Sequence, residues 1–221
     1  MLIIIQVHDY LILVVIIVGS NNMANRPIYI STGDVNNPFT EDNINFEWIP
    51  GYSYVNKCRR RESLKSSIAK KYDINKWLEV STISDKDIGK KLSALNLMIT
   101  LTNNKSYSVE VIYQCSKIYH NNSIVGFKFR DTEFENNPYG MYYDYIYMVA
   151  LYQNKDYHEL IKDYYLFTDL FFNPNKSLNT QARAVAIFKT LYDNDYLKLL
   201  ENVNEFKEYY KNNVKLKVKK Y

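Results

Sequence analysis

The chain has 221 residues, which is enough for one sizeable hydrophobic core or at most two small domains. Its formal net charge of +4 is too small to indicate nucleic-acid binding on its own. The two cysteines, Cys58 and Cys115, and the three histidines are far apart, which argues against a zinc site or a disulfide framework. The 22 tyrosines have two interpretations, AT-rich codon usage or rings that suit stacking on bases.

The N-terminal region shows neither a membrane helix nor a secretory signal. Polar residues precede its apolar run, Leu11–Val18, so that no span of about 20 apolar residues exists. No lysine or arginine occurs before Arg26, whereas a secretory signal begins with a basic region. Met23 opens a segment typical of the start of a cytoplasmic protein. We therefore predict that residues 1–22 are a non-native or disordered extension of a cytoplasmic protein without a membrane partner.

The next part of the chain shows short strands before it shows helices. Alternating apolar and polar residues predict two strands, and turn-forming residues separate them. Leu64 and Ile68 then lie four residues apart among basic residues, which is the pattern of a surface helix with one buried stripe. The predicted elements are strands at Ile28–Ser31 and Ile44–Trp48, a helix at Ser63–Tyr72, an extended segment at Trp77–Val80, and a helix that Ser84 caps and that continues to Leu95.

Helices dominate the second half of the chain. The segment Tyr142–Tyr152 has apolar residues on nearly every side, which predicts a core helix. The other predicted elements are a strand at Asn96–Leu101, a helix from the cap Ser108 to about Tyr119, a strand at Ile124–Phe129, and helices at Tyr157–Leu166, Thr180–Tyr192 and Val203–Tyr210. Together they predict a helix-rich α+β single domain with short strands.

After the N-terminal extension, the chain is predicted to consist of two parts. Residues 23–200 form the main domain, and residues 201–221 form a C-terminal helix and a basic tail. Such a tail is more commonly a solvated chain end than a phosphate-contacting segment.

The most informative segment is the predicted helix after Ser108. Helical spacing places Glu110, Tyr113, Gln114 and Lys117 on one side, so that an acid, a hydroxyl, an amide and an ammonium group project together. Glu110 lies in the first turn, where the helix dipole favours an ionised carboxylate that can orient or deprotonate a water molecule. From spacing alone, such a glutamate is more commonly ordinary helix-start chemistry, and Lys117 is more commonly a solvated lysine.

Residues 108–117, Ser-Val-Glu-Val-Ile-Tyr-Gln-Cys-Ser-Lys, resemble the signature of the NADAR, or YbiA-like, superfamily. The likeness extends from about Arg26 to Leu191, with several motifs in the family's order. Further segments resemble the branch whose members are antitoxins to DarT-type DNA ADP-ribosyltransferase toxins, and these are Leu78–Leu97, Tyr143–Tyr147, Ala150–Asn154, Phe167–Asp169 and Phe172–Arg183.

The resemblance implies hydrolysis of an N-glycosidic bond, which in the antitoxin branch joins ADP-ribose to guanine in DNA. Glu110 matches the family's catalytic glutamate, and Lys117 matches the lysine of the same motif. A carboxylate at Glu110 can stabilise an oxocarbenium-like ribose while water attacks the anomeric carbon. Asp144 and Asp169 match motif acids, and each is either the second catalytic carboxylate or a ligand of ribose hydroxyls. No metal or other cofactor is implied.

The remaining candidate residues would contact the substrate. Arg183 is a candidate for holding the diphosphate through two parallel hydrogen bonds, although an ordinary ion pair is the commoner role of a helical arginine. Tyr145 stands where the family has a tryptophan, and its ring can stack on a base or a ribose. The substrate-binding set is completed by Asn96, Tyr113, Gln114 and Lys117.

Three functions are compatible with the sequence. The first is an ADP-ribosyl-guanine glycohydrolase, whose partners are ADP-ribosylated DNA, ADP-ribose and the cognate DarT-type toxin. The second is an N-glycosidase of ribosylamino pyrimidine intermediates of riboflavin synthesis, as in other family members. The third is a catalytically weak module that binds ADP-ribose. It is motivated by the short segment His120–Ser123, where the family has a longer basic stretch.

Overall fold

The computed structural model describes residues 2–7, 10–15, 22–136, 140–173, 177 and 179–216. The strands are β1 (Leu2–Val7), β2 (Tyr10–Val15), β3 (Met23–Ser31), β4 (Phe39–Glu47), β5 (Trp77–Glu79), β6 (Met98–Thr100), β7 (Ser106–Ser108), β8 (Lys117–His120), β9 (Ser123–Phe129), β10 (Thr132–Glu135) and β11 (Leu166–Thr168). The helices are α1 (Tyr54–Ile68), α2 (Asp87–Lys91), α3 (Val109–Cys115), α4 (Met141–Gln153), α5 (Asp156–Ile161), α6 (Gln181–Asp193) and α7 (Val203–Asn213). No helix in these ranges is both long and apolar enough to cross a membrane.

A four-stranded sheet, in the order β4-β3-β11-β5, forms the central layer. β3 pairs antiparallel with β4 and β11, whereas β11 pairs parallel with β5. Successive residues of a strand point to opposite faces, and both faces of this sheet are buried. Ile28 and Trp77 belong to an apolar cluster on one face, whereas Tyr29, Leu78 and Phe167 belong to the cluster on the other. Burial on both faces explains why β5 and β11 are apolar except at their last residue.

Helices cover both faces of the sheet. α1 packs against β4 and contributes Leu64 and Ile68 to the smaller cluster. α6 packs against β3 and β11 and is itself covered by α4. α4 occupies the centre of the larger cluster, and its residues from Met141 to Leu151 are buried on every side. The predicted core helix and the predicted helix-rich α+β single domain with short strands are therefore confirmed.

α1 begins well before the helix predicted at Ser63–Tyr72. Its cap is Ser53, whose hydroxyl accepts a hydrogen bond from a backbone amide of the first turn. The first turns carry a buried cation instead of an apolar stripe, because the Arg60 guanidinium lies over the Trp48 ring at 4.5 Å. The prediction relied on apolar spacing, which starts only at Leu64. The basic first turns of the helix were therefore not predicted.

α3 ends earlier than about Tyr119, where the predicted helix ended. After Cys115 the chain forms β8, which pairs antiparallel with β9. The turn between these strands consists of Asn121 and Asn122, both with positive φ, as two-residue hairpin turns require. The short segment that departs from the family pattern is thus a tight hairpin turn. Lys117 consequently lies at the start of a strand and not on the helix.

Two further helices are shorter than predicted. α2 starts at Asp87, and the hydroxyl of Ser84, the predicted cap, accepts from the Lys86 amide in the turn before the helix. α5 ends at Ile161, while Leu166, the predicted end of that helix, begins β11. Pairing with β3 and β5 decides the conformation of β11, and local periodicity does not encode such nonlocal pairing.

The two ends of the chain make different kinds of contact. β1 and β2 pair with each other in an antiparallel hairpin, within the segment predicted to be a non-native or disordered extension. The many β-branched residues of both runs favour strands. α7 is the predicted C-terminal helix, and Lys207 on it donates to the Glu133 carbonyl and lies 4.5 Å from the centre of the Phe134 ring. The tail residues 217–221 lie outside the described residues.

A buried ion pair joins the two central helices. Nε and a terminal nitrogen of Arg183, on α6, donate to the two carboxylate oxygens of Asp144, on α4, at 2.8 and 3.1 Å. Tyr210, on α7, donates to the same carboxylate at 2.7 Å. Gly140 precedes α4 with a φ of +85°, and a Cβ there would lie 2.4 Å from Arg183. Burial raises the pKa of Asp144, and its interactions with Arg183 and Tyr210 act against that rise.

We expect Asp144→Asn to lower the free energy of unfolding by about 3–5 kcal/mol, because the buried Arg183 would lose its counter-charge. Urea denaturation of both proteins, followed by circular dichroism, measures the difference. Glu159→Gln, which removes an exposed ion pair with Lys162, is the control and should leave the transition midpoint nearly unchanged. An equally small effect of Asp144→Asn would show that the buried pair contributes little to stability.

Candidate active site

A cavity of about 510 Å3 opens beside the carboxyl ends of β5 and β11. Because these strands are parallel, the loops that follow them emerge at one edge of the sheet, where α/β proteins commonly bind ligands. The cavity is lined by Ser81, Thr82, Ser93, Ala94, Leu95, Glu110, Tyr143, Asp169, Phe171, Phe172, Asn173, Ser177, Asn179 and Gln181. In the described part of the chain, no group of three or more histidines, cysteines, aspartates or glutamates is placed to hold a metal ion.

The first turns of three helices each contribute one residue to the wall. Glu110, Tyr143 and Gln181 lie in the first turns of α3, α4 and α6, respectively. The amino-terminal end of a helix carries a partial positive charge. The helix dipoles therefore add partial positive charge to a cavity that two carboxyl groups, those of Glu110 and Asp169, also line.

The side chain of Gln181 fixes the wall by hydrogen bonding. Its Oε1 accepts from the Ala94 amide at 2.7 Å, and its Nε2 donates to the Val80 carbonyl at 2.5 Å. The Ala94 carbonyl accepts in turn from the Glu110 amide at 2.9 Å. Since Gln181 is buried, water does not compete for these bonds. The start of α3 is thus held to the end of β5 by a continuous set of hydrogen bonds.

Four residues predicted from the helix motif lie together. Gln114 Nε2 donates to Glu110 Oε1 at 2.6 Å, and Lys117 Nζ donates to Gln114 Oε1 at 2.5 Å. The Lys117 ammonium lies 5.0 Å from the centre of the Tyr113 ring, and the Tyr113 hydroxyl accepts from Asn179 at 2.7 Å. Of the four, only Glu110 lines the cavity. The contacts lead from Glu110 to Gln114, then to Lys117 and then to the Tyr113 ring.

Asp169 reaches the same cavity from the loop after β11. Its Oδ1 accepts from the backbone amides of Phe171 and Phe172 at 3.1 and 3.2 Å, which turns the chain sharply. Burial, and to a smaller extent the negative charge of Glu79, raises the pKa of Asp169 to about 8. The hydrogen bonds from the two backbone amides act against this rise. A carboxyl group with this pKa is largely protonated at neutral pH and can donate a proton.

Glu79, at the end of β5, supports this loop and was not predicted as a site residue. Its Oε1 accepts from the Leu170 amide at 2.9 Å, and its Oε2 accepts from the Thr168 hydroxyl at 2.5 Å. Arg26 Nε donates to the Leu170 carbonyl at 3.0 Å, so that both the N–H and the C=O of Leu170 have side-chain partners. Burial raises the pKa of Glu79 to about 7. The loop therefore rests on a second carboxyl group that disfavours ionisation of Asp169.

Asp144, predicted as the second catalytic carboxylate or a ligand of ribose hydroxyls, is not among the residues that line the cavity. Neither is Arg183, predicted to hold the diphosphate. They form the buried pair between α4 and α6, and both carboxylate oxygens of Asp144 accept hydrogen bonds there. In place of the predicted substrate contacts, the pair holds together the two helices whose first turns face the cavity. Arg183 therefore forms an ion pair, which is the commoner role of a helical arginine.

Two other predicted residues also point elsewhere. Tyr145 lies two residues after Tyr143 on α4 and therefore projects from nearly the opposite side of the helix. It lines a separate cavity of about 530 Å3, and its ring centre lies 4.9 Å from that of Phe206. Asn96 donates to the Lys90 carbonyl at 2.8 Å and is not part of the wall formed by the residues just before it.

Sequence reasoning missed most of the cavity wall. Tyr143, Phe172, Asn179 and Gln181 were not predicted as site residues, although they lie in segments that carry the family resemblance. A usable signal existed for Glu79, since an acid at the end of an apolar strand, where both faces are buried, requires hydrogen-bond partners. Nothing local distinguishes the other residues from ordinary loop and helix positions.

The sequence profile described as DarT1-associated NADAR antitoxin matches residues 24–123 and 120–220, which together cover most of the chain. No curated protein matches the chain. The match confirms the resemblance drawn from the sequence motifs, and it includes every residue of the cavity wall. The chain belongs to the family of DarT1-associated NADAR antitoxins.

Proposed function

We propose that this protein hydrolyses the N-glycosidic bond between ADP-ribose and guanine in modified DNA and so reverses the product of a DarT1-type toxin. One observation carries the proposal: Glu110 and Asp169, two carboxyl groups in contrasting environments, line the same cavity. Family membership supplies the expected substrate class. A cavity of about 510 Å3 is within the range of about 300–1,000 Å3 common for ligand sites. A DNA substrate implies action in the cytoplasm.

In the proposed reaction, Asp169 is the acid. It donates its proton to the guanine nitrogen as the bond from that nitrogen to the anomeric carbon breaks, which leaves positive charge on the ribose. The ionised Glu110 stabilises this charge and accepts a proton from the attacking water, whose oxygen bonds to the anomeric carbon. The products are free ADP-ribose and unmodified guanine. Glu110 then returns its proton to solvent, and Asp169 takes one up.

The remaining wall suits the rest of the substrate. Tyr143, Phe171 and Phe172 offer aromatic faces for a base or a ribose. The side chains of Asn173 and Asn179 offer amide groups for ribose hydroxyls. The diphosphate is expected near the first turns of α4 and α6, because helix dipoles favour phosphate there. Lys117 and Gln114 would orient Glu110 through the hydrogen bonds that join these three side chains.

We expect Glu110→Gln to reduce release of ADP-ribose by at least about 100-fold, because the amide can neither accept the proton nor stabilise the cation. The assay compares release from an oligonucleotide ADP-ribosylated on guanine by the wild type and the variant. Glu133→Gln, which changes an exposed carboxylate outside this cavity, is the matched control and should retain activity.

The other outcomes separate the competing functions. Equal activity of Glu110→Gln and the wild type would refute the mechanism. Tight binding of ADP-ribose without release by the wild type would favour the binding module. Cleavage of ribosylamino pyrimidines without any action on the modified oligonucleotide would favour the small-molecule N-glycosidase.

The acid role of Asp169 predicts a specific pH dependence. The value of kcat/KM should fall as the pH rises through about 8, because only the protonated carboxyl can donate. Glu79→Gln should move this fall to lower pH, since removing the neighbouring negative charge lowers the pKa of Asp169 while glutamine keeps an acceptor for the Leu170 amide. The measurement is a pH–rate profile of both proteins.

The direction of each change decides the assignment. A rise of kcat/KM through the same pH range would identify the ionised form of Asp169 as the active one and contradict the acid role. An unchanged profile in Glu79→Gln would show that the charge of Glu79 does not control the group that titrates. Asp169→Asn, which cannot donate an acidic proton, should lose most of the activity at every pH.

A further inference from the structure

One flank of α1 forms part of the rim of the cavity. The Lys57 ammonium lies 5.8 Å from the centre of the ring of Phe171, a residue of the cavity wall. One turn later, Arg61 donates to the Ile83 carbonyl at 2.6 Å, next to the wall residues Ser81 and Thr82. The helix therefore runs along the mouth of the cavity, although none of its residues lines the interior.

This flank combines basic groups with exposed aromatic rings. Tyr54, Lys57 and Arg61 are spaced by three and four residues and so share one side of the helix. Tyr54 is 66% exposed, and Phe171 across the rim is 43% exposed. We call these four residues the α1 flank. Arg59 projects from nearly the opposite side of the same helix and is exposed.

The charge of α1 is complementary to a polyanion. The helix has five basic residues and one acidic residue, and its first turn contains no acid. Glu62 pairs with Arg61, and Asp85 pairs with Lys65, so that part of the positive charge is compensated. Of the other three basic residues, Arg60 is buried over the Trp48 ring, which leaves Lys57 and Arg59 near the helix start. The helix dipole adds partial positive charge there, and Tyr52, 93% exposed, precedes the cap.

We propose that the α1 flank binds the single-stranded nucleic acid next to the modified guanine, which deepens and rests on the proposed function. Cations beside the backbone, together with exposed rings on which bases stack, are the features by which proteins bind single strands. On this flank Lys57 is the available cation, because the Arg61 side chain is 13% exposed and paired with Glu62. A duplex would hide the faces of its bases from Tyr54 and Phe171. Since the flank adjoins the cavity, a strand lying on it would lead directly to the nucleotide whose ADP-ribose occupies the cavity.

The first test measures binding of an unmodified, fluorescently labelled single strand of about 12 nucleotides by the full chain, using fluorescence anisotropy. We expect Tyr54→Ala to weaken binding by about fivefold or more through loss of stacking. Lys57→Gln should weaken it by about threefold to tenfold and reduce the slope of log affinity against log salt by about 0.7. Arg59→Gln removes the same charge from the opposite side and should change neither quantity appreciably.

The second test uses the ratio of kcat/KM on a modified oligonucleotide to kcat/KM on ADP-ribosylated guanosine, which has no flanking strand. This ratio should fall in Tyr54→Ala and Lys57→Gln and should be unchanged in Arg59→Gln. Because the binding assay does not require hydrolysis, the two proposals fail separately. Binding without turnover of either substrate would reject the glycohydrolase and leave the binding surface intact.

Several results would overturn the proposal. The absence of single-strand binding by the wild type, or an equal loss of affinity in Arg59→Gln and Lys57→Gln, would show that the flank is not a specific surface. Tighter binding of a duplex, with no effect of Tyr54→Ala, would contradict stacking on a single strand. Loss of affinity for the DarT1 toxin in the flank variants, with unchanged affinity for the oligonucleotide, would assign the surface to a protein partner.

Discussion

The ion pair between Asp144 and Arg183 is the interaction on which the rest of the structure depends. Burying two charges is costly, and here the cost is offset because both carboxylate oxygens are bonded and Tyr210 adds a third hydrogen bond. The pair fixes α4 against α6, and the first turns of both helices face the cavity. Gln181, in the first turn of α6, then sets the position of the loops and of α3. A contact inside the core thereby determines the shape of a cavity it does not touch.

Two carboxyl groups from distant parts of the chain line the cavity. Glu110 lies in the first turn of α3, where Gln114 donates a hydrogen bond to its carboxylate. Asp169 lies on a loop that rests on Glu79, and burial and the neighbouring acid both favour its protonated form. Pairs of acids separated in this way serve as acid and base in glycoside hydrolysis. The proposed division of roles rests on where each residue lies in the fold, because both side chains carry the same functional group.

Local patterns predicted those elements whose conformation is decided locally. The core helix α4 was predicted because its apolar residues surround it, and the cap Ser108 placed the start of α3. The patterns failed where distant residues decide the outcome. β11 is a strand because two distant strands flank it, and the first turns of α1 are helical although a cation over Trp48 replaces the usual apolar stripe. The same limit applies to the site, where Glu110 stood out by its helix motif, whereas the contact of Glu79 with the loop of Asp169 joins distant parts of the chain.

The sequence by itself determined the family, the α+β class, the core helix and the place of Glu110 in the first turn of a helix, because each is carried by residues close together in the chain. Only the tertiary structure decided which acids share the cavity. Asp144 and Asp169 are equivalent as motif residues, yet one is paired inside the core and the other faces the cavity. Their environments differ through burial and through charges contributed by α6 and β5, and segments so distant in sequence meet only when the chain has folded.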